Sequence, residues 1–248
     1  MTRSSIIPAL LVAFLLHSSH ALAEPEPAAA ADVGVSAAEA AKAERFIQTK
    51  HNKVRRVLRT PDTPKRAKEL TVLLGEFLNY DRLTRLSLDK EWAKRSPKER
   101  DHFVNLLRQL VERQYQRNME STLRYRVKWV GTEPIETGVK VKSSARSITK
   151  KRQPPITIDY SMSPADDEWK VFDIFTDEVS LVQNYKRQFR RVIKDEGWNG
   201  LIGRMEKKLN AEEERRLKTV RPATAPPGRA VGTTPRTVRP SCAILRCL

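Results

Sequence analysis

RYRVKWVGTEPIETGVKVK, residues 124–142, is the stretch whose reading decides the fold. Tyr125, Val127 and Trp129 alternate with Arg124, Arg126 and Lys128, and Val139 and Val141 alternate with Lys140 and Lys142. A period of two describes a strand with one apolar and one wet face, whereas the sequence before Arg124 repeats at helical spacing. The same alternation returns at Ile156, Ile158, Tyr160 and Met162 against Thr157, Asp159 and Ser161, and a Pro-Ala-Asp-Asp turn then leads into Trp169–Phe175. The expected class is therefore α+β: a curved antiparallel sheet of about four strands, basic on one face and packed by helices on the other.

Upstream, Ser36-Ala37-Ala38-Glu39 forms a capping box, and the helix it opens carries Phe46, Ile47, Val54, Val57 and Leu58 on one side. Thr63-Pro64 starts a second helix with Ala67, Leu70, Leu73, Leu74 and Phe77 inward. Between Phe77 and Arg100 the apolar residues Leu78, Tyr80, Leu83, Leu86, Leu88 and Trp92 are too dense for a loop, and short helices with stops around Asp81 and Asp89 are expected. Ser96-Pro97-Lys98-Glu99 then caps a long helix bearing Phe103, Leu106, Leu107, Leu110, Val111 and Tyr115. Downstream of the sheet, one helix with Tyr185, Phe189, Val192 and Ile193 inward stops at Gly197, and another with Leu201, Ile202, Met205 and Leu209 follows Gly200.

The ends read differently. Residues 1–23 have a basic residue, Arg3, an apolar run from Ile6 to Leu16 and Ala21-Leu22-Ala23, the pattern of a cleaved secretory signal peptide. An Ala/Pro linker, 24–35, leads to a folded domain, 36–217, and a basic Pro/Thr/Arg tail, 218–248, has too few apolar residues to order itself. Cys242 and Cys247 close a local disulfide in an oxidising compartment or are incidental to the tail, with equal weight; they have no histidines at metal spacing, and no metal or cofactor is expected. The net charge of +17 points to anionic surfaces, and export argues against nucleic acid; the seven cations Arg3, Lys218, Arg221, Arg229, Arg236, Arg239 and Arg246 lie outside the domain.

Signals of catalysis are few. Nucleophile elbow, phosphate loop and dinucleotide fingerprint are missing from the sequence. His51 and His102 read as surface histidines. Asp159, beside Thr157 and Ser161, is expected to pair with Lys or Arg across the strands. Asp173 alternates with Val171 and Phe175 and points inward, so an exported enzyme or small-molecule binder built on Asp173 is the alternative to set against a structural hydrogen-bonding role. Fourteen apolar residues fall on inward faces: Leu83, Phe103, Leu107, Leu110, Val127, Trp129, Val139, Ile158, Tyr160, Val171, Val179, Leu181, Val182 and Phe189. Periodicity does not tell a filled core from a hollow one.

Several ordered blocks carry a resemblance. These are Asn79–Leu88 (NYDRLTRLSL), Trp92, Ser96–Arg100 (SPKER), Pro155–Tyr160 (PITIDY), Trp169–Asp173 (WKVFD), Val179–Tyr185 (VSLVQNY) and Gly200-Leu201-Ile202. From about Val57 to Leu209 the chain resembles MlaC, the toluene-tolerance family of periplasmic lipid carriers, departing from it with Asp89 and Glu178 where that family commonly has glycine. The resemblance implies a nuclear-transport-factor-like fold around a deep apolar cavity, and no enzymatic activity. It also implies that phospholipid is the cargo, held by the fourteen residues above. The implied partners are an outer-membrane lipoprotein–porin complex and an inner-membrane ABC transporter with an MCE-domain ring, served by a monomer in the periplasm.

Overall fold

The computed structural model describes residues 35–220, with side chains described outside 117–119 and 216–220. The expected signal peptide, nearly all of the linker, most of the tail and both cysteines lie outside the described residues. The first helix, α1 (Ala37–Leu58), begins at the capping box that Ser36 and Glu39 make in full, and α2 (Pro64–Phe77) begins at Thr63, whose side chain accepts the Arg66 N–H. Asn79 caps α3 (Tyr80–Leu88) and leaves Asp81 in its first turn, where a carboxylate suits the positive end of the helix. The expected stop at Asp81 is thus corrected to Asn79, whose side chain takes the Arg82 N–H at 2.9 Å. The stop at Asp89 is real: its φ of 53° breaks the chain before the single turn α4 (Lys90–Ala93). The second capping box, Ser96 with Glu99, opens α5 (Pro97–Thr122).

Five strands follow in simple meander order, all antiparallel: β1 (Tyr125–Ile135), β2 (Gly138–Ser147), β3 (Ile156–Ala165), β4 (Glu168–Thr176) and the two-residue β5 (Val179–Ser180). The last is one more than expected. Asp166-Asp167 and Asp177-Glu178 turn β3 into β4 and β4 into β5 with all four residues at positive φ, the primed turns that match strand twist. Gly138 has no room for a side chain, because a Cβ there would meet the Met162 carbonyl oxygen at 2.0 Å. The long α6 (Leu181–Val220) is broken at Gly197 (φ 73°, ψ −177°), which makes it the two helices the sequence predicts and carries the second three residues past the expected boundary at 217.

The helices cover one face of the sheet. The block around α3 is fastened to it at several points: Leu78 bridges to Val171, the Asn79 N–H donates to the Val171 carbonyl at 2.8 Å, and Arg82 lies over the Phe172 ring while donating to Ser163 Oγ at 2.7 Å. Between α3, α5 and α6 the interior is solid. Phe103 meets Phe189 edge-on at 5.3 Å and stacks on Trp198 at 5.2 Å, and Tyr185 stacks on Phe189 at 5.4 Å. Among the described residues no helix is long and apolar enough to cross a membrane.

Candidate functional site

The other end of the helix-covered face is hollow. A cavity of about 1100 Å³, counted with its opening, lies between α1 and the sheet. Its roof comes from one stripe of α1, with Ile47, Lys50, His51, Val54 and Arg55 at the i, i+3, i+4, i+7, i+8 spacing of a helix face. Its floor is a set of cross-strand neighbours. Val127 pairs with Ala145 and Ala145 with Ile156, while Ile158 pairs with Thr176 and Tyr160 with Ile174. Phe77 of α2, Tyr115, Ser121 and Thr122 of α5, and Tyr125 complete the wall.

The hollow has a cause in β2. Its inward row runs Val139, Val141, Ser143, Ala145, Ser147, all buried, so side-chain volume falls from one end to the other. At the valine end the helices sit against the sheet; at the Ser143–Ser147 end nothing on the strand fills the gap below α1. Ser143 is also turned away from any ligand, since its hydroxyl donates to the Ile158 carbonyl at 2.5 Å.

Electrostatically the space is quiet. Burial, with Arg55 next to it, pushes the His51 imidazole down to about 4, so it is neutral at physiological pH. Burial likewise pushes the Tyr115 phenol up to about 12 and the Tyr160 phenol further up. The two cations in the wall are engaged: Lys50 Nζ pairs with Glu76 at 2.7 Å, and Arg55 donates to the carbonyls of Thr122 and Tyr125 at 3.1 and 3.0 Å. Trp129 closes one side, its ring 5.7 Å from that of His51 and 6.1 Å from that of Tyr160.

Of the fourteen residues expected at the cavity, Val127, Ile158 and Tyr160 line it, and Trp129 stands behind two of its wall residues. Leu83, Phe103, Leu107, Leu110, Val139, Val171, Leu181, Val182 and Phe189 do not: each is at most 4% exposed and packed in the solid core. Val179 does not either, being exposed in the short β5. The reading of His51 as a surface histidine is corrected by its place in the cavity roof, whereas His102 is exposed and faces Glu206 at 3.3 Å. The wall residues of α1 were missed as a group, although Ile47 and Val54 belong to its expected inward face. Small inward residues in β2 were the available signal.

The two acids fall outside the cavity wall. Asp159 accepts the Ser143 N–H at 3.3 Å and also acts electrostatically on Lys142 of the neighbouring strand, in line with the expected cross-strand partner. Asp173 is buried at the start of α6, where Oδ1 accepts the N–H groups of Ile174 at 2.8 Å and Val182 at 3.0 Å, and Oδ2 accepts the Ser180 hydroxyl at 2.5 Å. Ser180 in turn accepts the Gln183 N–H at 3.0 Å. Asp173 and Ser180 thus satisfy free donors of the first helical turn, a structural task. Burial raises the Asp173 carboxyl above the ordinary carboxylate range against the pull of these bonds. Among the described residues no group of three His, Cys, Asp or Glu side chains could hold a metal ion.

A curved antiparallel sheet roofed by helices over an apolar cavity defines an α+β protein with an interior suited to a hydrophobic ligand. The family model described as MlaC protein matches residues 48–207, and the chain belongs to that family. A solved structure with the same fold is the phospholipid-binding protein from Ralstonia solanacearum in complex with a phospholipid, 19% identical, with a TM-score of 0.58, covering 69% of this chain and 99% of that one. No curated protein matches this chain.

Proposed function

We propose that this chain is a periplasmic phospholipid carrier that shuttles lipid between an outer-membrane lipoprotein–porin complex and an inner-membrane MCE-domain ABC transporter, and so maintains outer-membrane lipid asymmetry. The observation that carries the reading is the cavity between α1 and the sheet, walled mainly by aliphatic and aromatic side chains and open at one side. Membership of the MlaC family and the phospholipid held by the Ralstonia protein on the same fold support it.

The physical need is plain. Each methylene exposed to water costs about 0.8 kcal/mol, so a lipid with roughly thirty methylenes faces a penalty on the order of 20 kcal/mol on leaving a bilayer. A carrier must offer the chains an environment near that of the bilayer and no better, because a tighter site would not release them. An apolar wall in which burial keeps the His51 imidazole and the Tyr115 and Tyr160 phenols neutral does this. The acyl chains lie along Ile47, Val54, Val127, Ile156 and Ile158, and the headgroup stays at the opening beside the cationic Lys50 and Arg55. Asp173, outside the wall and committed to capping α6, is assigned no catalytic part.

Native mass spectrometry of protein purified without detergent tests the proposal. The wild-type chain is expected to carry phospholipid, and Val127→Glu or Ile158→Glu, folded by circular dichroism, to lose at least about 90% of it, since an unpaired carboxylate cannot be buried against acyl chains. Apoprotein from the wild type, or full loading of a folded variant, contradicts it.

A further inference from the structure

β1 has two sides. Tyr125 and Val127 point into the cavity, and the residues that alternate with the inward row point away from the helices: Arg124, Arg126, Lys128 and Val130 are all exposed. On the adjacent strand Arg146 is exposed too and sits directly opposite Arg126 in the register, while the Ile148 N–H pairs with the Arg124 carbonyl at 2.8 Å. Like charges placed directly across a ladder destabilise it, and none of these four cations has an ion-pair partner among the described residues. The nearest acid along β1 itself, Glu133, pairs with Lys142, and Asp159 of β3 acts on Lys142 as well. An uncompensated Arg–Arg pair on a sheet face is a feature that folding alone does not favour.

Two large aliphatic side chains flank the cations. Val130, the extra residue of the bulge between Trp129 and Gly131, is 62% exposed, and Ile148 is 47% exposed. Each alone would be ordinary. Together with the row of arginines they give a flat surface with cations for phosphates and short apolar residues for the region just beneath them, the combination that holds a protein at a lipid interface.

We infer that the outer face of β1 and β2 docks on an anionic phospholipid bilayer, laying the strand whose reverse side lines the cavity flat against the membrane. This goes beyond the carrier reading and stands independently of it, because docking requires no lipid inside the chain. An acidic protein surface is the other partner with matching charge; the exposed aliphatic residues favour the bilayer.

Sedimentation of the full chain with vesicles tests the inference. Wild-type protein is expected to pellet with vesicles of phosphatidylglycerol and phosphatidylethanolamine, to stay in solution with phosphatidylcholine alone, and to be released at ~1 M salt, where the Debye length is about 3 Å. Each basic residue at such a surface counts for about fivefold, so R126S/K128S/R146S should weaken binding roughly 100-fold. The control K90S/R190S/K194S removes the same charge from the cleft beside α4 and α6 and should weaken it less than about tenfold. V130S/I148S should weaken binding without changing its salt dependence. Removing the Arg–Arg pair should leave thermal stability unchanged or higher, so loss of fold does not confuse the result. Equal losses for both triple variants, or no loss for the sheet variant, overturn the inference; so does loss of transport in cells with vesicle binding intact, which would assign the face to an acidic protein. Val127→Glu should pellet like wild type, which separates failure of docking from failure of loading.

Discussion

His51 shows what the cavity does to a single side chain. Its imidazole, ordinarily titrating near 6.5, is pushed to about 4 by burial and by Arg55. The folded state therefore binds fewer protons than the unfolded state between these values, and acid favours unfolding in that window. Stability is complete above about pH 6.5, falls as pH drops towards 4, and is insensitive to this group below that. The drop is at most about 3 kcal/mol, and less where water reaches the ring through the cavity opening. Urea unfolding of wild type and His51→Leu across pH 7 to about 4 checks this: the variant should lose the part of the acid sensitivity that His51 supplies. Equal slopes in the two proteins would mean the ring is already wet.

At the scale of elements, both short turns of the last hairpins and the break after α3 use residues at positive φ. Glu178 (φ 66°) and Asp89 (φ 53°) hold the backbone in a conformation that glycine favours. Glu178 is exposed, so Glu178→Gly should raise stability by about 0.5–1 kcal/mol, read as a higher urea midpoint at unchanged slope. A lower midpoint would show the turn to be unstrained. Asp89 differs because it pairs with Lys186 at 3.0 Å and Arg190 at 3.4 Å, which offsets the relief a glycine would bring.

Elements were legible where local chemistry alone fixes them. Ser36, Thr63 and Ser96 each announce a helix start, and the change of period at Tyr125 announces the sheet. β5 escaped because two residues make no period, and Asp81 misled because an acid suits a first turn as well as a stop. The cavity wall was much less legible. Whether an inward residue touches a neighbour or a void depends on what stands opposite, and Val127 faces Ala145 on its strand partner whereas Val139 meets Met162. Nine of the fourteen expected residues are core for that reason, and the α1 stripe was overlooked because nothing in one helix states what it covers.

For the whole molecule, the arrangement divides the labour. The aromatic cluster of α5 and α6 and the capped start of α6 make a rigid half, and the small residues of β2 leave a hollow half beneath α1. A carrier needs both, a frame that does not collapse when empty and a space that accepts flexible chains. The central claim is that lipid tails occupy the α1–sheet cavity and no other part of the interior. Photo-crosslinking with a phospholipid bearing a photoactivatable group in its acyl chain, followed by mapping of the adducts by peptide mass spectrometry, tests this most directly. The account predicts adducts on Ile47, Val54, Val127 and Ile158; adducts concentrated on Phe103, Leu107 and Phe189, or none at all on the loaded protein, would contradict it.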